Sequence, residues 1–252
     1  MGTSHFLGQN FSKPFEVKFA DKDNVEHFAW QTSWGVSWRL IGAMIMVHGD
    51  DQGLVLPPKV APIQIVIVPI YKNDTEKKEI LSKSEEIKHI LEQKDIRVHI
   101  DMREEFSMGN KFNDWEMKGV PIRIELGPRD MKNNSIMLAK RYNAEKSNLN
   151  FEEIDIIPAM LNDIQKIMLE NAKDRADSMS RHISDYDEFK KEIEKGGFFF
   201  APWCESMECE ENIKKETGAD IRVIPFGSED ESKKCMYCQK QSKTIPIFAR
   251  GY

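Results

Sequence analysis

Between residues 63 and 176 the hydrophobic period switches repeatedly between that of a strand and that of a helix, and this limits the fold more than any other feature. The unbroken apolar run IQIVIVPI, starting at Ile63, reads as a strand buried on both faces. Residues 75–94 then place Ile80, Leu81, Ile87, Ile90 and Leu91 on one stripe of a helix. The strand IRVHID, a helix around 110–118 and the strands VPIRIEL and SIMLAKRY follow. A helix over 155–176 closes the block, with Ile157, Met160, Leu161, Ile164, Ile167 and Met168 on its apolar face. Pro158 falls in its first turn, where the missing N–H is tolerated. This alternation predicts an α/β unit with a mixed, partly parallel sheet.

The flanks read differently. Residues 1–59 hold extended, Gly-punctuated segments (FEVKFA, VEHFAWQTSW), the apolar run LIGAMIMV and a terminating Pro57-Pro58 pair. The block is short for a closed core, and its abrupt opening, MGTSHFLGQNFSKPF, predicts that the chain starts within a larger domain. After the polar stretch ADSMSRHISDYDE comes a third block: a helix over 189–194, the strand GGFFFAPW, a helix near 212–217, the strand IRVIPF and the closing TIPIFARGY. The expected organisation is multidomain, α/β and α+β, with domains at 1–59, 60–170 and 171–252. No apolar run approaches the ~20 residues of a membrane span, and no basic-then-apolar leader opens the chain, so the expected compartment is the cytoplasm. A net charge of −6 argues against blanket nucleic-acid affinity while permitting a local basic face.

All four cysteines lie in the third block, as two close pairs: Cys204 with Cys209, and Cys235 with Cys238. Such pairs can converge on one tetrahedral Zn²⁺, and the lysines of KKCMYCQK favour thiolate. Free buried cysteines do not cluster pairwise, and disulfides fit poorly in a cytoplasm. A closed four-protein-ligand site would hold loops and do no chemistry.

Elsewhere the residues leave alternatives open. His5 reads as a base, a ligand or a satisfied core histidine; His89 and Glu85-Glu86 read as solvated helix face. No Gly-Lys-Ser phosphate loop or GxGxxG turn occurs. Arg123, Arg129, Lys140 and Arg141 concentrate positive charge, either as ordinary surface or as a face that reads phosphates and bases. Arg39 stands among apolar and small residues between Gly35 and Gly42. If buried it needs a partner, either a nucleotide or a carboxylate.

The segments GTSHFLGQNFSKPFEV, FAWQTSWGVSWRLIGAMIMVHGDDQGLVLPP and GVPIRIELGPRDM, the four cysteines and the terminal ARGY occur in an order that resembles class II prolyl-tRNA synthetases of the archaeal and eukaryotic-like type. The resemblance covers the whole chain. It implies the end of a class II antiparallel catalytic sheet, then an anticodon-binding domain, then a zinc-binding domain. SWGVSWR resembles motif 3, which implies ATP contacts from Thr3, Ser37 and Arg39, with Arg39 catalytic. It implies a proline pocket formed by His5, Ser33, Trp34 and Gly35, and anticodon contacts from Glu125, Arg129 and Arg141. Trp38 departs from the small residue that family members often carry.

The resemblance further implies a proline–tRNA ligase using ATP and Mg²⁺, acting on tRNA(Pro), with a structural zinc and a homodimeric parent. Motifs 1 and 2 do not occur in this sequence, so the segment alone is expected to be inactive. The alternative is a non-catalytic tRNA-binding or scaffold module derived from a synthetase.

Overall fold

The N-terminal residues build local pairs rather than a core. β1 (Gly2–Gly8) is followed by a hairpin of β2 (Lys18–Ala20) and β3 (Glu26–Phe28), and β4 (Gln31–Val36) returns to pair antiparallel with β1. Helix α1 (Arg39–His48) carries the LIGAMIM run. The computed structural model describes residues 2–251, and among them no hydrophobic residue before Val55 is buried. Phe6, Trp34 and Trp38 are 74%, 79% and 87% exposed. Arg39 is exposed as well, so the condition of burial under which it would need a partner is not met. The run is helical, but two separate ribbons supply no layer to cover it.

The alternating block builds the core of the first of two compact units, Met1–Met168 and Leu169–Tyr252. Its elements are β5 (Ile65–Pro69), α2 (Asp74–Glu92), β6 (Val98–Ile100), α3 (Met108–Met117), β7 (Ile122–Leu126), α4 (Pro128–Lys132), β8 (Ser135–Lys140), β9 (Lys146–Asn150) and α5 (Ile157–Ser178). The sheet order is β6-β5-β7-β8-β9, with β5 parallel to β6 and β7 and the last two pairings antiparallel. Every residue of β5 is buried, as its unbroken apolar run requires. One sheet face presents Ile65, Ile67, Ile122, Ile124, Ile136 and Leu138 to Ile80, Ile87 and Leu91 of α2 and to Ile157, Leu161, Ile164 and Met168 of α5. Burying each such side chain contributes roughly 1.5–3 kcal/mol. Asn73 caps α2 by accepting the Glu76 N–H, and Ser107 caps α3 by accepting that of Asn110. The closing helix begins with a 3₁₀ turn, Phe151–Ile156, before Pro158 enters α5.

In the second unit the sheet order is β10 (Ser180–His182), β11 (Phe198–Phe200), β13 (Ile247–Arg250) and β12 (Ala219–Val223). Helices α6 (Tyr186–Ile193) and α7 (Met207–Thr217) pack Phe189 and Ile213 into a core with Phe199 and Phe248.

Candidate nucleic-acid interface and metal centre

The second face of the five-stranded sheet is only half covered. Cross-strand register places His99, Val66, Arg123, Ala139 and Lys146 in one row, and Val68, Glu125, Met137 and Asn148 in the next. Helix α3 covers the β5 side with Trp115, which packs with Val66, Val68 and Val120. Towards β9 the cover thins: Lys146 and Glu116 are 51% and 38% exposed, whereas Arg123 and Glu125 beneath them are 7% and 13% exposed. Arg123 there donates to Glu125 at 3.0 Å and to Glu116 at 2.8 Å, and its guanidinium lies 4.2 Å from the centre of the Phe112 ring. Lys146 donates to the same Glu125 oxygen at 3.1 Å. Two cations thus meet two carboxylates beside a half-exposed ring, leaving fixed donors, fixed acceptors and a flat apolar surface with little net charge. That set suits the edges and faces of unstacked bases better than a row of phosphates.

Asp101, fully buried just after β6, fixes α3 against this sheet. Its carboxylate accepts from Arg103 at 2.8 and 2.9 Å and from the Trp115 indole N–H at 2.8 Å. Burial raises its pKa, but these hydrogen bonds outweigh that and hold the carboxyl well below its ordinary range.

The three residues expected at the anticodon are not gathered. Glu125 lies on that half-covered face, while Arg129 is exposed on α4, beyond the carboxyl end of β7. The Arg141 side chain is 4% exposed, and its fork is held by Asp50 at 2.6 and 2.8 Å. Arg141 holds the Asp50 carboxyl down at about 2. Phe112, Glu116, Arg123 and Lys146 completing the face were not singled out together from sequence. The signal was the alternation of Arg123 and Glu125 within a strand whose other residues are apolar.

On the N-terminal ribbon, register pairs Thr3 with Gly35 and His5 with Ser33, so these four share one face. A Cβ on Gly35 would meet Thr3 Oγ1 at 3.6 Å. Thr3, Gly35, Val36, Ser37 and Arg39 line one hollow, which brings the expected ATP residues together. Trp34 pairs with Ser4 on the opposite face, so the ribbon does not gather it with His5, Ser33 and Gly35.

The four cysteines converge. All four Sγ atoms lie within 4.8 Å of one another, and Cys204 Sγ is 3.6 Å from both Cys209 and Cys238. A tetrahedral zinc with ~2.3 Å bonds sets its sulphurs roughly 3.8 Å apart, so the donor set and spacing fit that ion. Burial pushes the Cys209 and Cys235 thiols up, whereas backbone N–H groups of Cys238, Tyr237 and Cys204 favour the Cys235 thiolate. Glu216 braces the loop by accepting from Tyr186 at 3.0 Å and Tyr237 at 3.1 Å.

Comparison with known proteins gives the family of the two blocks that carry a core. Residues 64–156 match the family model of an anticodon binding domain, and residues 186–252 match that of the prolyl-tRNA synthetase C-terminal domain. An anticodon-binding region followed by a synthetase C-terminal domain defines the class of the chain as part of an aminoacyl-tRNA synthetase. The full chain aligns at 56% identity with the proline–tRNA ligase of Cenarchaeum symbiosum, at 48% with that of Bacteroides fragilis and at 44% with proline–tRNA ligase 2 of Clostridioides difficile. It belongs with the prolyl-tRNA synthetases, as their C-terminal half. The chain spans about half the length of these curated relatives, 53%, 52% and 52% respectively. No helix among the described residues is long and apolar enough to cross a membrane.

Proposed function

We propose that this chain supplies tRNA(Pro) recognition and the motif 3 segment to a class II enzyme that activates proline with ATP and transfers it to tRNA. The observation that carries the proposal is the half-open face built by Phe112, Glu116, Arg123, Glu125 and Lys146 inside the matched anticodon-binding region. The bases of an anticodon loop stack on the Phe112–Arg123 surface and present their edges to the carboxylates and guanidinium. Arg129, free to reach outward from α4, adds an arginine fork at the rim.

Residues 1–59 are read as the end of the catalytic domain, a reading supported by the open apolar side chains of β4 and α1. Thr3, Ser37 and Arg39 take the ATP phosphates and base, and His5, Ser33 and Gly35 take the proline side, with Trp34 facing away. Mg²⁺ supplies charge neutralisation at the phosphates when bound. Residues 60–170 are the anticodon domain and 171–252 the zinc domain, in which Cys204, Cys209, Cys235 and Cys238 hold a structural ion. Four clustered free thiols suit a reducing cytoplasm. The complete enzyme is read as a homodimer.

Anisotropy titration of this chain with a labelled proline anticodon stem-loop tests the RNA face. Phe112→Ala should weaken binding about tenfold, since one stacked base is worth ~1–3 kcal/mol. Glu116→Gln should lose discrimination against an anticodon-swapped loop. Equal affinity for both loops with the unaltered chain would refute base reading.

A further inference from the structure

The segment after α1 reaches the RNA face at a hollow that Gln52 and Arg141 line together with Glu116, Arg123 and Lys146. Arg141, one residue past β8, is buried. Its Nε donates to the Glu116 carbonyl in the last turn of α3 at 2.9 Å, and its two terminal nitrogens grip Asp50. Glu116 in turn holds Arg123 through its carboxylate. A single guanidinium therefore ties the Glu116 backbone to Asp50, 91 residues from Arg141 in sequence.

Asp50 is itself anchored to α1. Gly49 closes that helix by donating to the Ile45 carbonyl, and Asp50 and Gly53 exchange backbone bonds at 3.1 Å. The turn is pressed onto the end of α3, where Leu54 N–H donates to the Met117 carbonyl at 3.0 Å. Gly53, at φ 130°, leaves no room for a side chain, because a Cβ would sit 2.7 Å from Met117 Cα. Gly119, at φ 70°, is in the same position against the Leu54 carbonyl at 2.6 Å. Neither side of this joint can slide without the other.

We infer that Arg141 and Asp50 are positioning residues. They set Glu116 and Arg123 for base reading and couple RNA occupancy to the carboxyl end of α1, the helix that begins at Arg39. The inference rests on the RNA-face reading above. In this reading Arg141 acts through Asp50 and Glu116, to which its donors are committed.

The test is hydrogen exchange on this chain with and without the proline anticodon stem-loop, together with titrations against the swapped loop. In the unaltered chain, RNA should slow exchange over residues 112–125 and also over residues 45–49. Asp50→Asn leaves the turn's backbone bonds in place. It should still bind, with discrimination between the loops reduced about fivefold and the slowing over 45–49 lost. Arg141→Lys, which cannot bridge Asp50 and the Glu116 carbonyl together, should do the same if Asp50→Asn proves poorly folded. Slowing over 112–125 with none over 45–49, or an Asp50→Asn chain with unchanged discrimination and slowing, overturns the coupling while leaving the RNA face standing. Absence of binding by the unaltered chain overturns the RNA-face reading and this inference with it.

Discussion

Replacing Asp101 with asparagine removes one charge from a site where three donors depend on it. The carboxylate is wholly buried and accepts from Arg103, from the Trp115 indole and from the Arg103 backbone N–H, with Lys111 Nζ 4.0 Å away. Asparagine keeps one oxygen and turns an NH₂ towards donors. Arg103 is partly compensated, since its side chain is 30% exposed and it also pairs with Asp114 at 2.8 Å. Lys111, 4% exposed, keeps only its bond to the Asp101 backbone carbonyl at 3.3 Å. Breaking a buried pair by removing one partner costs about 3–5 kcal/mol, and the Asp114 contact places this change near 3 kcal/mol.

Stability should be read from hydrogen exchange of β5 and α3 amides, so that the first unit is followed by itself. The pH dependence gives a second check. The folded carboxyl lies below its ordinary 3.8, so its contribution is complete above that value and is lost as pH falls through the folded pKa. The gap between the unaltered chain and Asp101→Asn should therefore be constant near neutrality and narrow below about pH 3.8. A deficit under about 1 kcal/mol, or one independent of pH down to acid, would refute the assignment of Asp101 as the anchor of α3.

Metal analysis should return about one zinc per chain. Chelation should unfold the second unit while leaving β5 exchange-protected, and metal-free protein with that unit intact would contradict the reading. Gly119→Ala places a Cβ against the Leu54 carbonyl at positive φ and should cost about 3 kcal/mol in urea unfolding, more than the ~1–2 kcal/mol of the backbone conformation alone. In a synthetase of the relatives' full length carrying this segment, Arg39→Ala should lower proline-dependent pyrophosphate exchange by about 100-fold or more, with little rescue by Arg39→Lys. Because Arg39 is exposed in this chain, the thermal midpoint of the segment should not move.

The mixed sheet was legible because burial on two faces leaves an unbroken apolar run at β5, and burial on one stripe leaves the Ile80, Ile87, Leu91 spacing of α2. β9 was not legible. Only Leu149 of KSNLN is buried, so no alternation marks it, and it forms because β8 offers it a partner. LIGAMIM fits a strand or a helix equally well by composition, and burial could not be inferred from its apolarity. Cysteine spacing announced convergence because the paired residues are close in sequence. The fate of Arg141 depended on Asp50, and nothing local marks a partner that distant. Which ribbon residues face together follows from Thr3 standing opposite Gly35, a register that only the paired strands define.

The two ends of the five-stranded sheet have a bearing on solubility. β6 is three residues long, and β9 carries Lys146, Asn148 and Asn150. An outer strand with unpaired backbone groups is a template for another chain, and short length, lysine and asparagine all disfavour such addition. The polar residues of that half-covered face therefore also guard its border against intermolecular strand pairing. Changing Lys146 and Asn148 to valine would give the border the alternating apolar pattern of a sheet interior, and with it a tendency to assemble edge to edge as concentration rises.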